Sequence, residues 1–70
     1  MAEFYIETSA RDNGDHVVHT STCSQLPAKD TIYYLGSISN CASAVKKAGE
    51  RFKQVNGCPH CATTCHVAAA

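Results

Sequence analysis

The stretch NGCPHCATTCH, residues 56–66, decides how this chain folds. It holds three of the five cysteines (Cys58, Cys61 and Cys65) and two of the four histidines (His60 and His66). The chain has 70 residues and reads as one domain, residues 1–70. A chain that short buries too little apolar surface to be comfortably stable on its core alone. It needs a staple such as a disulfide, a metal ion or an oligomeric partner. The cysteine run is the obvious source of one.

Three chemistries compete for the run. CPHC, residues 58–61, matches the C-x-x-C of thiol-disulfide enzymes. Those enzymes place the pair after a first strand and at the start of a helix, where the helix terminus activates the thiolate. Here it follows the one clear helical stretch, and only thirteen residues remain from Cys58 onward. A redox protein using CPHC is therefore kept as an alternative. Covalent haem attachment wants C-x-x-C-H. Cys61-Ala-Thr-Thr-Cys65-His66 is one residue too long for that.

Metal binding fits best. A tetrahedral zinc site takes four nitrogen or sulfur ligands, usually as two pairs. Cys58 and Cys61 form one pair, and Gly57 before them permits a close backbone turn. HTSTC, His19 to Cys23, offers the second pair, with thirty-four residues between Cys23 and Cys58 to bring the chain back. The expected set is His19, Cys23, Cys58 and Cys61 around Zn2+. Cys65 or His66 is the alternative fourth ligand in place of His19. Cys41 reads as a small buried hydrophobe, His16 as solvated, and His60 as pointing outward.

The rest of the chain supplies a frame. EFYIETSA (residues 3–10) alternates as a strand, with Phe4 and Ile6 on one face and Glu3, Tyr5 and Glu7 on the other. Asn13-Gly14 is a hairpin turn signal, and HVVHT (residues 16–20) is the return strand. TIYYLGS (residues 31–37) is β-branched and aromatic, hence a third strand. Its Tyr33 and Tyr34 point to opposite faces, one of them into the core. Ser39 or Asn40 can cap a helix running to about Val55, with Cys41, Val45, Ala48 and Phe52 along its apolar stripe. Asn56-Gly57 would stop it. The expected class is α+β: a small antiparallel sheet of about three strands packed on one helix and stapled by zinc.

Six basic and six acidic residues give zero formal net charge. No bulk field draws the protein to nucleic acid or to a membrane. Lys46, Lys47, Arg51 and Lys53 supply the only cationic cluster, and four cations give weak, salt-sensitive nucleic-acid binding. The N-terminus lacks the pattern of a secretory signal, and no run approaches the roughly 20 apolar residues of a membrane span. The expectation is a cytoplasmic monomer, with thiols left free for metal in a reducing compartment.

The order H-x3-C, YLGS, Ala-rich helix and G-C-x2-C resembles the zinc-binding domain at the N-terminus of the Ada DNA-repair protein and similar small modules. His19 and Cys23 match that family's first ligand pair, and Cys58 and Cys61 its second, over roughly residues 17–61. The tail is similar to short bacterial proteins ending in G-C-x2-C-x3-C-H. The resemblance implies a zinc-stapled fold and, in the Ada family, methyl transfer from DNA phosphotriesters onto a zinc-bound cysteine. This chain has His19 at the early ligand position and no arginine cluster after Cys23, so the zinc site and fold carry over and the methyl transfer does not. The functional expectation is a non-enzymatic zinc module that binds a protein partner. The alternatives are a weak nucleic-acid-binding module of Ada-like type and a thiol-reactive or redox protein.

Overall fold

A computed structural model describes residues 2–67. Strand β1 (Ala2–Glu7) and strand β2 (His16–Thr20) form the expected hairpin. Its turn uses Gly14 at φ 92°, and the Gly14 amide donates to the Arg11 carbonyl at 2.8 Å. Asn13 accepts from the Asp15 amide at 2.9 Å, an Asx turn that fixes the approach to β2. The chain then reaches the far side of β1, where strand β3 (Ile32–Ile38) pairs antiparallel with it. Helix α1 (Cys41–Ala48) follows. Asn40 caps it by accepting from the Ser43 amide at 2.8 Å.

Here the structure departs from the sequence reading. The helix ends at Ala48, not near Val55, and Val55–Gly57 is a fourth strand, β4, parallel to β2. The sheet order is β3-β1-β2-β4, so the sheet is mixed and four-stranded rather than antiparallel and three-stranded. Gly49 keeps a helical conformation and its amide still reaches the Val45 carbonyl. The helix ends as the next amides tighten onto i−3 carbonyls, Glu50 on Lys47 at 3.2 Å and Arg51 on Ala48 at 3.0 Å. The chain then turns back to pair Val55–Gly57 with β2. The helical stripe to Phe52 is a stripe only as far as Ala48. Phe52 reaches the core from the following turn. A single helix crosses from β3 to β4, which run in the same direction, as parallel strands require.

The core lies between the sheet and α1. Phe4, Ile6, Val18 and Leu35 come from the strands and Ala44 and Ala48 from the helix, with Val45, Phe52 and Val55 around them. Small alanines at the contact let the helix sit close on the sheet. Tyr33 and Tyr34 are both exposed, which corrects the expectation that one would enter the core. β3 is an edge strand, and Leu35 fills the core position from it. The Arg51 guanidinium lies 4.8 Å above the Tyr33 ring, and Tyr34 packs on Tyr5 with centroids 5.2 Å apart. Among the described residues no helix is long and apolar enough to cross a membrane.

Candidate metal centre

The opposite face of the sheet carries the polar site. Tyr5 and His19 are paired across β1 and β2, so Glu7 and His19, on the same pleat, lie on the face away from the helix. His19 is fully buried there. After Thr20 the chain makes a tight turn, with the Cys23 amide on the Thr20 carbonyl at 3.1 Å, and this brings Cys23 back beside His19. The second ligand pair arrives on β4. The Cys58 amide donates to the Val18 carbonyl at 2.9 Å, extending the parallel pairing by one residue and fixing Cys58 beside β2.

The four expected residues converge. One ligand atom each from His19, Cys23, Cys58 and Cys61 lies within 4.8 Å of all the others. The Cys23 and Cys58 sulfurs are 3.8 Å apart, and Cys61 Sγ is 4.0 Å from His19 Nδ1. Tetrahedral coordination at Zn–S distances of about 2.3 Å places neighbouring ligand atoms ~3.8 Å apart. These two separations match that spacing, and the whole set is close enough to share one ion. The turn also directs amides at the thiols: His60 N–H lies 3.4 Å from Cys58 Sγ, and Thr20 N–H lies 3.3 Å from Cys61 Sγ. Such donors stabilise thiolate charge.

The thiols also alter one another. Burial pushes the Cys61 thiol up to about 12, and hydrogen bonding with Cys23 and Cys58 adds to it. Burial opposes ionisation of Cys58 as well, but the amides of His60 and Cys61, together with hydrogen bonds from the Cys61 and Cys23 thiols, hold that thiol below its ordinary value. Three thiols this close cannot all ionise unless a cation offsets their charge. That is the chemistry of a metal-binding donor set.

Two residues complete the centre that the sequence reading did not assign to it, Glu7 and Arg11. Glu7 was placed on the polar face of β1, yet it is only 6 % exposed. Its Oε2 accepts from His19 Nε2–H at 2.6 Å. Arg11 grips the same carboxylate through Nε and Nη2, at 2.7 and 2.5 Å. The Arg11 hydrogen bond, chiefly, holds the Glu7 carboxyl below the usual carboxylate range, against the opposing effect of burial and with help from His19. A carboxylate behind a histidine fixes which ring nitrogen carries the proton. With the proton on Nε2, the Nδ1 lone pair faces the three sulfurs. The spacing E-x3-R across the hairpin loop is the one sequence signal for this pair, and it is too common to be read without the fold.

The alternatives for the fourth ligand lie elsewhere. Cys65 is bonded to Cys41 in a disulfide, which corrects the reading of Cys41 as a simple buried hydrophobe and the expectation that thiols outside the metal set stay free. Their Cα atoms are 6.2 Å apart because the chain after Cys61 turns back over the sheet end to the start of α1. His66 donates from Nδ1 to the Gly57 carbonyl at 2.9 Å, a bond that braces β4. His60 is exposed, as expected. His16 is half-buried rather than solvated. It packs on Phe52 at 4.5 Å between centroids and donates from Nδ1 to the Glu7 carbonyl at 2.9 Å.

CPHC does follow a strand, β4, but no α-helix begins at it. A short 3-10 turn, Thr63–Cys65, comes next. The cations do not form one helical face. Lys46 and Lys47 are on α1, while Arg51 and Lys53 lie beyond its end. No family model matches the chain, and neither a curated protein nor a solved structure matches it.

Proposed function

We propose that this protein is a small zinc-binding module with a structural, closed metal site, acting by presenting its folded surface to a protein partner. The observation that carries the reading is the convergence of His19, Cys23, Cys58 and Cys61, with Glu7 fixing the imidazole from behind. Three thiolates and one imidazole in tetrahedral spacing suit zinc above the hard cations, which prefer oxygen. Four protein ligands leave no open position for water or substrate, which argues for structure rather than catalysis. The Ada-like order of the two ligand pairs is part of the same proposal, without methyl transfer.

Native mass spectrometry of the purified protein tests the reading. About one zinc per chain is expected. A purified chain that carries no zinc and takes up none when zinc is supplied would overturn it. Rapid disulfide exchange at Cys58 or Cys61 in the zinc-loaded form would favour the redox reading instead. Nucleic-acid binding that survives physiological salt and falls on Lys46→Glu and Arg51→Glu would favour the nucleic-acid reading.

A further inference from the structure

We propose that the Cys41–Cys65 disulfide is a thiol-exchange clip on the metal-bearing turn. Low-molecular-weight thiols open it by attack at Cys65, and its state sets how quickly Cys58 and Cys61 release the ion. The coupling to the ion rests on the metal reading above.

The first support is where the bond lies. Both cysteines are partly accessible, unlike Cys58 and His19. The two sulfurs also sit in unequal surroundings. Cys41 is the first residue of α1, at the end of the helix that favours negative charge. The Thr64 hydroxyl donates to Cys41 Sγ at 3.3 Å and lies farther from Cys65 Sγ, at 3.9 Å. Cys41 is thus the better leaving thiolate, and exchange proceeds fastest when the better leaving group departs. An incoming thiolate RS⁻ attacks Cys65 Sγ. The S–S bond breaks, its electron pair stays on Cys41 Sγ, and a mixed disulfide forms at Cys65. A second RS⁻ attacks the R-bearing sulfur, releases RSSR and leaves the Cys65 thiolate. The two protons from the reagent thiols end on Cys41 and Cys65. One protein disulfide is reduced and two thiols are oxidised.

The second support is what the bond holds. Cys65 N–H donates to the Ala62 carbonyl and Ala62 N–H to the Cys58 carbonyl, both at 2.9 Å. Gly57, immediately before Cys58, lies so close to Cys65 that a Cβ at position 57 would stand 2.9 Å from its Cβ. The placing of Cys65 therefore dictates the backbone of the turn that presents Cys58 and Cys61. The disulfide carries that constraint to α1, on the other side of the sheet. Opening it does not free the segment. His66 still donates to Gly57, and Asn56 still exchanges two hydrogen bonds with the Val67 backbone, at 2.7 and 2.8 Å. The open form keeps its ion but holds it less firmly.

The test uses the zinc-loaded full chain and glutathione. After partial reaction and alkylation with iodoacetamide, peptide mass spectrometry should find glutathione on Cys65 and the alkyl group on Cys41. Oxidised and fully reduced protein, each desalted, are then mixed with a chromophoric chelator. Zinc transfer should be about tenfold faster from the reduced form, the scale on which loss of support behind a ligand weakens metal sites. The C41A/C65A variant, permanently open, should match the reduced wild type. Glutathione found on Cys41, a disulfide that glutathione does not open, or equal transfer rates would each overturn the proposal. A chain that takes up no zinc fails at the loading step, which identifies the metal reading as the fault and removes both.

Discussion

Glu7 Oε2 lies 2.6 Å from His19 Nε2, and this contact turns the other nitrogen of the ring toward three cysteine sulfurs. The strand pleat puts both residues on one face, and Arg11 keeps the carboxylate ionised and in place. Glu7→Gln preserves the shape but replaces one carboxylate oxygen with an amide that repels Arg11 or His19. Zinc affinity should fall by about 10- to 100-fold, the usual cost of losing such a partner. Chelator competition on the wild type and the variant measures it. Equal affinities would mean that His19 is oriented by packing alone.

Acid should erase the stability advantage of wild type over the Glu7→Gln variant. The Glu7 carboxyl is held below its ordinary 4.5 in the folded chain. The unfolded chain therefore binds more protons in this range, and stability rises with pH across it. The contribution is complete above about 4.5 and is lost as pH falls through the lower folded value. Denaturant midpoints of the two metal-free proteins, taken across acidic pH, should converge toward the low end. A gap that stays constant below pH 4.5 would contradict the assignment.

Removal of the metal should lower the stability of the fold, leaving the core and the Cys41–Cys65 disulfide to hold what remains. The two ligand pairs come from distant parts of the chain, so coordination energy is folding energy. Cys58→Ser and Cys61→Ser should abolish tight zinc binding and lower the melting temperature of the zinc form to that of the chelated wild type. His19→Ala should do so less completely, while His66→Ala leaves metal affinity near wild type. Circular dichroism with and without a chelator follows all four.

Position 57 should tolerate nothing larger than glycine. A Cβ there would meet the Cys65 carbonyl carbon and Cβ at 2.9 Å and the Ala62 carbonyl oxygen at 3.0 Å, atoms of the backbone or fixed directly to it that cannot swing aside. Gly57→Ala should destabilise by about 1–3 kcal/mol, the range for overpacking. Urea unfolding at constant m-value gives the figure.

The Cys41–Cys65 link closes a loop with a sequence separation of 24. Chain entropy gives such a crosslink about 3 to 4 kcal/mol. Cys65→Ser should lower the unfolding free energy of the metal-free protein by up to that amount. No loss on substitution or on reduction would mean that the unfolded chain is already constrained there.

The His19, Cys23, Cys58 and Cys61 cluster was legible because thiols and imidazoles at H-x3-C and C-x2-C spacing have few other uses in a chain with no room for a large core. The hairpin was legible from Asn13-Gly14 and the alternation around it. β4 was not. It is three residues long, Val55-Asn56-Gly57, and two of those are helix-stopping or turn residues in any local reading. Only its pairing with β2 makes it a strand, and that pairing is a tertiary fact. Cys41 fell into the same gap. Its place on the apolar stripe of α1 was read correctly, but its partner is brought by a turn whose path depends on β4. Glu7 was hidden by the opposite problem: strand alternation marks a polar face, and does not show that other chain covers it.

Among the described residues β2 and β4 are the only parallel neighbours in the sheet, and the candidate metal ligands lie toward the ends of that pair. Cys61 and His19 are separated by 42 positions. Closing so long a span must precede any gain from the contacts it makes, and non-local pairing of this kind is slow to form. The hairpin and α1 can assemble from local contacts, whereas β4 and its cysteines are expected to dock last. An ion held early by His19 and Cys23 would wait for the other two sulfurs, so metal capture and sheet completion become one kinetic event. In a chain made from its N-terminus onward, an ion bound there would be sealed only after residue 61 had joined, and a truncated product would be left with half a site.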